Sequence, residues 1–465
     1  MEKHNNILTG FSSNIIGNIL MFTTTIYLTR TYDAQIYGEF RLFFSFIALS
    51  VIILLLGRDN GIIYFSQSEI QHKDTIIKEE VYFGFFVLLL GTFILFIFSD
   101  YIISAFFNKN TTLEYFQLSL LMIPLWGLFN LGLAGLKSKG LINYTFILSN
   151  LTQRAIRIPF FIVLTFFSAS YYSLAFGMIL SQIILVYLVI KKLPFLLKFK
   201  DVKFKDFFKR FSYSLQLGFN AIIVVLLTKI DILMVGNFTD NTQVAIYDTC
   251  IMLSFVIMMP FIALVKSSEP FMKSLVKVKA VQKKYKNNLK LSIELSLGVL
   301  LFILIASKDI LYVFGDIYVN GSETLIILSI SYMLLIILGS PIEILNMNGF
   351  TKSSSIVLII SILINIGLNM LLIPIYGIVG ASIATGISLV FSKIFGLFLV
   401  HQKLDLNFIH QLVNIKAYAI FGILYTSSNL FTINYWLPNL LIALFVILIY
   451  FLMIIDKKHM HTFRS

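Results

Sequence analysis

Residues 141–168 read LINYTFILSNLTQRAIRIPFFIVLTFFS. Such a run supplies the roughly 20 apolar residues needed to cross a hydrocarbon layer about 30 Å thick. It does not alternate in polarity, as the strands of about ten residues in a membrane β-barrel do. The segment therefore reads as a membrane-spanning helix. It carries two arginines, Arg154 and Arg157, near its middle and no acidic residue.

The rest of the chain extends this pattern. Of 465 residues, 58% are hydrophobic and 13% charged, against about 45–50% and about 25% in soluble domains. That balance excludes a soluble enzyme, a disordered chain and a repeat solenoid. A single cysteine, Cys250, and six scattered histidines exclude a disulfide framework, a thiolate metal site and zinc spacing. No cofactor or metal is expected. Fourteen apolar runs follow one another: 7–29, 41–57, 81–99, 114–136, 141–168, 171–190, 212–236, 244–265, 288–306, 323–345, 353–373, 376–400, 412–430 and 435–455. The fold class is all-α, a polytopic membrane protein of about 14 spans. The first run is too long for the apolar core of a signal peptide and reads as a retained helix.

Placing both termini in the cytoplasm puts 27 basic residues in the internal connections. Four lie outside, Arg30, Arg41, Lys109 and Lys308, and five within spans, Arg154, Arg157, Lys229, Lys393 and Lys416. This asymmetry follows the positive-inside rule. The net charge of +13 concentrates in two internal connections, 191–210 at +6 and 266–290 at +7. It is therefore no signature of nucleic-acid binding; these segments are expected to meet anionic inner-leaflet lipids. In 202–211, Phe204, Phe207, Phe208 and Phe211 repeat with helical spacing among Lys203, Lys205, Lys209 and Arg210, which predicts an interfacial amphipathic helix.

The chain resembles itself at a spacing near 210 residues. Gln35-Ile36-Tyr37 recurs as Gln243 through Tyr247, and Asp100-Tyr101-Ile102 as Asp309-Ile310-Leu311. Six helices per repeat predict two parallel lobes related by an axis along the membrane normal, with a site between them. The expected division is an N-terminal lobe 1–190, a linker 191–211, a C-terminal lobe 212–400, and helices 13 and 14 with a tail in 401–465.

A charge at the bilayer centre costs about 2.5–3.5 kcal/mol on insertion scales, so each one calls for a reason. Arg154 and Arg157, one turn apart, suit an anionic ligand, because a planar guanidinium fork matches phosphate oxygens; pairing with carboxylates on other helices is the alternative. Lys393 is a candidate addition to a cationic cavity. Lys229, in the seventh run, is a further candidate ligand contact, and Asp231 beside it reads as a counter-ion or a coupling group. Arg30 and Arg58 are boundary charges, either ligand contacts or ordinary anchors. No nucleotide loop, H-E-x-x-H or paired carboxylates suggest an enzyme.

Several stretches carry a family resemblance. Lys229-Ile230-Asp231, Gly236-Asn237-Phe238 and Val244-Ala245-Ile246-Tyr247, the turn Tyr37-Gly38-Glu39-Phe40, and Asn365 to Asn369 followed by Leu372-Ile373-Pro374-Ile375-Tyr376-Gly377 through Thr385 resemble the polysaccharide transporter branch of the multidrug/oligosaccharidyl-lipid/polysaccharide (MOP) exporter superfamily. The resemblance implies a Wzx-type flippase in a bacterial cytoplasmic membrane. Such a protein carries undecaprenyl-pyrophosphate-linked oligosaccharide to the outer leaflet for O-antigen, capsule or related polymers, through a cationic cavity and by alternating access. It also implies a polysaccharide polymerase and glycosyltransferases as pathway partners. A drug/cation antiporter of the same superfamily would carry acidic residues in its first lobe, and the first run here has no charge. A lipid II flippase would carry arginines in that run. A membrane glycan polymerase or ligase would need a large external loop.

Overall fold

A computed structural model describes residues 2–68, 72–107, 111–197, 207–265, 272, 279–406, 415–428 and 436–454. Half of the expected amphipathic helix, 202–206, lies outside these residues, as do much of 191–210 and of 266–290. Among the described residues the regular structure is helical, as the composition requires. Backbone polar groups in hydrocarbon must be satisfied internally, and a helix does this within one segment.

The chain divides into two compact units, Met1–Ala245 and Ile246–Ser465. The first contains α1 (Glu2–Thr31), α2 (Ala34–Leu55), α3 (Arg58–Ser68), α4 (Lys73–Ile97), α5 (Ser99–Phe106), α6 (Leu113–Leu120), α7 (Met122–Ser138), α8 (Ile142–Phe146), α9 (Gln153–Phe167), α10 (Tyr171–Lys192) and α11 (Phe207–Phe238). The boundary falls inside α12 (Asn241–Ser254). The second unit continues with α13 (Met259–Leu264), α14 (Lys279–Tyr312), α15 (Ser322–Leu338), α16 (Pro341–Met347), α17 (Thr351–Leu404), α18 (Ile415–Ser428) and α19 (Trp436–Ile454). Among the described residues nine stretches are long and apolar enough to cross a membrane, against the fourteen read from the sequence. Two runs merge into α17.

Within α17 the backbone breaks at Gly377, with φ +56°. Asn365 Nδ2 donates to Ser388 Oγ at 3.3 Å. These residues lie almost equally far from Gly377 in sequence, so the chain doubles back there as a hairpin. Asn369 Nδ2 donates to Asn365 Oδ1 at 3.1 Å, and Tyr247 bonds Thr385 at 3.2 Å. Polar links of this kind hold helices together where lipid offers no hydrophobic drive.

In the first unit, the Asp33 side chain accepts from Gln35 N at 2.7 Å and caps α2. The helix therefore starts at Ala34, well before the expected start at 41. This corrects the placement of Arg41 with the external charges: it lies two turns inside a helix. The other end of α2 terminates in left-handed backbone at Leu56 (φ +51°) and Gly57 (φ +73°). A Cβ on Gly57 would stand 2.1 Å from Ser214 O and 2.5 Å from Gly218 Cα, so α11 crosses this turn backbone to backbone.

Beside that crossing lies a network of buried charge. Arg58 Nη1 donates to Glu80 Oε2 at 2.9 Å, with both side chains fully buried. Arg210 Nε donates to Glu80 Oε1 at 3.2 Å, and its Nη2 to Glu79. The Arg58 guanidinium also sits 4.2 Å from the Phe83 ring centroid and 5.1 Å from that of Phe211. The start of α11 is thereby pinned to α3 and α4. Replacing Glu80 with alanine would remove the carboxylate that Arg58 and Arg210 share, a loss of about 3–5 kcal/mol; thermal unfolding of the purified variant should show a clearly lowered Tm, and an unchanged Tm would contradict this role.

Candidate functional site

Arg154 and Arg157 emerge from the far half of a helix with an internal irregularity. Ile142–Phe146 and Gln153–Phe167 are joined by a π-helical stretch, Ile147–Thr152, a conformation that is rare and often found at functional sites. Pro159 follows in α9 and removes one further backbone donor. The π-helix packs against α1. At that contact a Cβ on Gly17 would meet Asn150 O at 2.4 Å and Arg154 Nη1 at 2.7 Å. A glycine is what lets the arginine approach α1.

Both arginines line an open cavity of about 80 Å³, together with Arg41 from α2. Thr24 and Thr25 of α1 and the aromatic rings of Tyr37, Phe40, Phe44 and Phe161 complete much of the wall, and no acidic side chain is among the lining residues. Arg154 and Arg41 both lie close enough to Arg157 to act on it electrostatically. Arg154 Nη1 donates to Asn18 Oδ1 at 2.8 Å. Arg157 Nη2 donates to Gln182 Oε1 at 3.4 Å. With its amide turned so that nitrogen donates to Ser149 O, Gln153 also accepts from Arg157, at 2.6 Å. The acceptors of Arg154 and Arg157 are thus neutral amides, which satisfy donors without cancelling charge. Arg41 lies 5.2 Å from the Phe44 ring centroid, and Phe44 stacks on Trp126 at 4.8 Å.

The other sequence candidates fall elsewhere. Arg58 is held by Glu80 in the buried network. Arg30 is exposed in the last turn of α1, where a cation meets the negative end of the helix dipole. Lys229 is half-buried and Asp231 buried on α11, and neither lines the cavity. Lys393, in the second unit, pairs with Glu343 at 3.6 Å. Arg41 is the residue the sequence reading missed. Its signal was Asp33, a capping residue whose recognition extends α2 backwards. No cluster of three or more His, Cys, Asp or Glu placed to hold a metal occurs among the described residues.

The polysaccharide biosynthesis protein family matches residues 27–322. Over 224 residues, 47% of this chain, the sequence is 26% identical to the probable low-salt glycan biosynthesis flippase Agl15 of Haloferax volcanii; the match spans 45% of that relative, less than half its length. The lipid II flippase MurJ, in an inward closed conformation, superposes with a TM-score of 0.71 at 18% identity, covering 95% of this chain and 97% of its own. An inward-facing multidrug resistance MATE family transporter of the MOP superfamily gives 0.69 at 13% identity, covering 86% and 98%. A MOP superfamily transporter from Pyrococcus furiosus gives 0.60 at 14%, covering 86% and 94%. At these identities the solved structures establish the fold.

The close approach at Gly17 yields a test. In Gly17→Leu the nearest obstacle is the Asn150 carbonyl, part of a backbone that cannot swing aside. Overpacking should cost about 1–3 kcal/mol and displace Arg154 from Asn18, lowering Tm; a wild-type Tm would refute the contact.

Proposed function

The chain belongs to the polysaccharide biosynthesis protein family, and from that premise we propose that it is a flippase for a lipid-linked glycan. The observation that carries this reading is the cavity of Arg41, Arg154 and Arg157, with amides as the acceptors of the latter two. A guanidinium stays charged at all accessible pH and presents its donors in a planar fork that fits phosphate oxygens. In a low-dielectric chamber that attraction exceeds its strength in water. A pyrophosphate joining lipid to sugar is the head group that answers this chemistry. The surrounding tyrosine, threonine and phenylalanine side chains suit the sugar beside it, offering hydroxyl partners and aromatic faces.

On this reading the substrate is undecaprenyl-pyrophosphate-linked oligosaccharide, moved from the inner to the outer leaflet of a bacterial cytoplasmic membrane for O-antigen, capsule or a related polymer. The protein is a transporter and no enzyme. With the cell interior negative, outward transfer of the anionic head is favoured by about 2.3 kcal/mol per uncompensated charge at 100 mV. Exposing the cavity to each side of the membrane in turn completes the cycle. A cation antiporter would need acidic groups where this cavity presents arginines, and lipid II remains the neighbouring substrate that the experiment distinguishes.

The experiment is complementation of strains that lack either an oligosaccharide flippase or the lipid II flippase. Rescue of surface glycan in the first strain alone is expected. Arg154→Ala and Arg157→Ala, at wild-type expression, should each reduce it about tenfold or more, as loss of a charge-assisted hydrogen bond implies. Wild-type surface glycan in both variants would sink the assigned site, and rescue of the lipid II strain would move the substrate.

A further inference from the structure

Two buried hydrogen-bond donors beside the cavity meet no acceptor among the described residues: Arg157 Nε and Gln182 Nε2. Gln182 is fully buried on α10, four residues after Met178, which lines the cavity. Residues at that spacing share a helix face. Arg157 Nη2 donates to Gln182 Oε1 at 3.4 Å. Because a guanidinium only donates, this contact fixes which end of the amide is oxygen. The NH2 group is therefore the end of the amide that Arg157 does not engage, and it is buried and unmet. Two adjacent orphans of the same polarity call for a partner with free lone pairs. A deprotonated phosphate oxygen is such a partner and adds attraction to the arginine charge; a further cation is not.

We propose that Gln182 is a second binding residue of the anion site, holding Arg157 through its oxygen and donating through Nε2 to a phosphate oxygen that Arg157 Nε also contacts. The inference rests on the reading of the cavity as a pyrophosphate site and adds to it a neutral residue that fixes the orientation of one phosphate. It accounts for a glutamine inside an apolar helix, where an unmet amide is costly. A carboxylate at 182 would hold Arg157 at least as firmly but would repel the ligand.

The test compares the full-length protein in detergent with Gln182→Glu and Gln182→Met, measuring inorganic pyrophosphate affinity by calorimetry and Tm without ligand. Glu keeps the acceptor and loses the donor, while Met keeps the length and loses both. Gln182→Glu is expected to raise Tm, through a new pair with Arg157, while weakening pyrophosphate binding about tenfold or more, the scale of one lost hydrogen bond to a charged group. Gln182→Met should lower both. A residue that only packs would make affinity follow Tm, so opposite movements in Gln182→Glu are the signature. Wild-type affinity in Gln182→Glu, or affinity that tracks Tm across the series, would overturn the proposal and leave the cavity reading standing. Should Gln182→Met fail to fold, the near-isosteric Gln182→Glu decides alone. A wild-type protein that does not bind pyrophosphate would overturn both readings.

Discussion

A guanidinium taken out of water must have its donors met, and what meets them decides whether its charge survives. The first unit contains both outcomes. Arg58 and Arg210 are answered by Glu79 and Glu80, so their charge is cancelled locally and the assembly acts as a fastening between α3, α4 and α11. Arg154 and Arg157 are answered by Asn18 and Gln182, so their geometry is fixed while their charge stays available. The same side chain thus serves as a clamp in one place and keeps its charge uncancelled in another. The difference lies in one atom of each partner, a carboxylate oxygen against an amide nitrogen.

Around these charges the helices approach each other closely enough to exclude lipid. Gly17 against Asn150 O of the π-helical stretch, Gly57 against Gly218, and, in the second unit, Gly380 against Leu372 O are places where no side chain separates two backbones. The first unit also holds an aromatic core: the rings of Phe43, Phe107, Phe116 and Tyr171 stand 5.4–5.8 Å apart in Phe43's contacts, and Tyr171 stacks on Tyr115 at 4.4 Å. Rigid surroundings of this sort hold Phe40, Phe44 and Phe161 where they wall the cavity. Outward-facing Phe86, Phe93 and Ile97, largely exposed, present the hydrocarbon surface that a bilayer requires.

Much of this was legible in the sequence, because length and apolarity identify a crossing and because a mid-span arginine is conspicuous. Arg154 and Arg157 stand out for that reason, and the turn between 373 and 376 is marked by Pro374 and Gly377. What escaped was relational. Arg41 looked external because it stands at the first position of its apolar run, whereas capping by Asp33 starts the helix earlier. Arg58 looked like a site residue because Glu80 is 22 positions away and nothing local announces the pairing. Gln182 carries no charge, and its importance comes wholly from the arginine it faces. Residue type can nominate a candidate; only the fold reveals what satisfies it.

The π-helical stretch at Ile147–Thr152 has a bearing on descent as well as on geometry. A π turn holds one residue more than an α turn, and each residue in an α-helix turns the chain by roughly 100°. Ordinarily a single inserted or deleted residue in a membrane helix would swing everything beyond it onto another face. Here the surplus residue is already lodged between α8 and α9, upstream of both arginines. Relatives that lack it can keep their two arginines facing the same way only with an uninterrupted α-helix one residue shorter. An alignment of this helix across the family therefore has a physical place for a gap, in the midst of a membrane segment where gaps are usually refused.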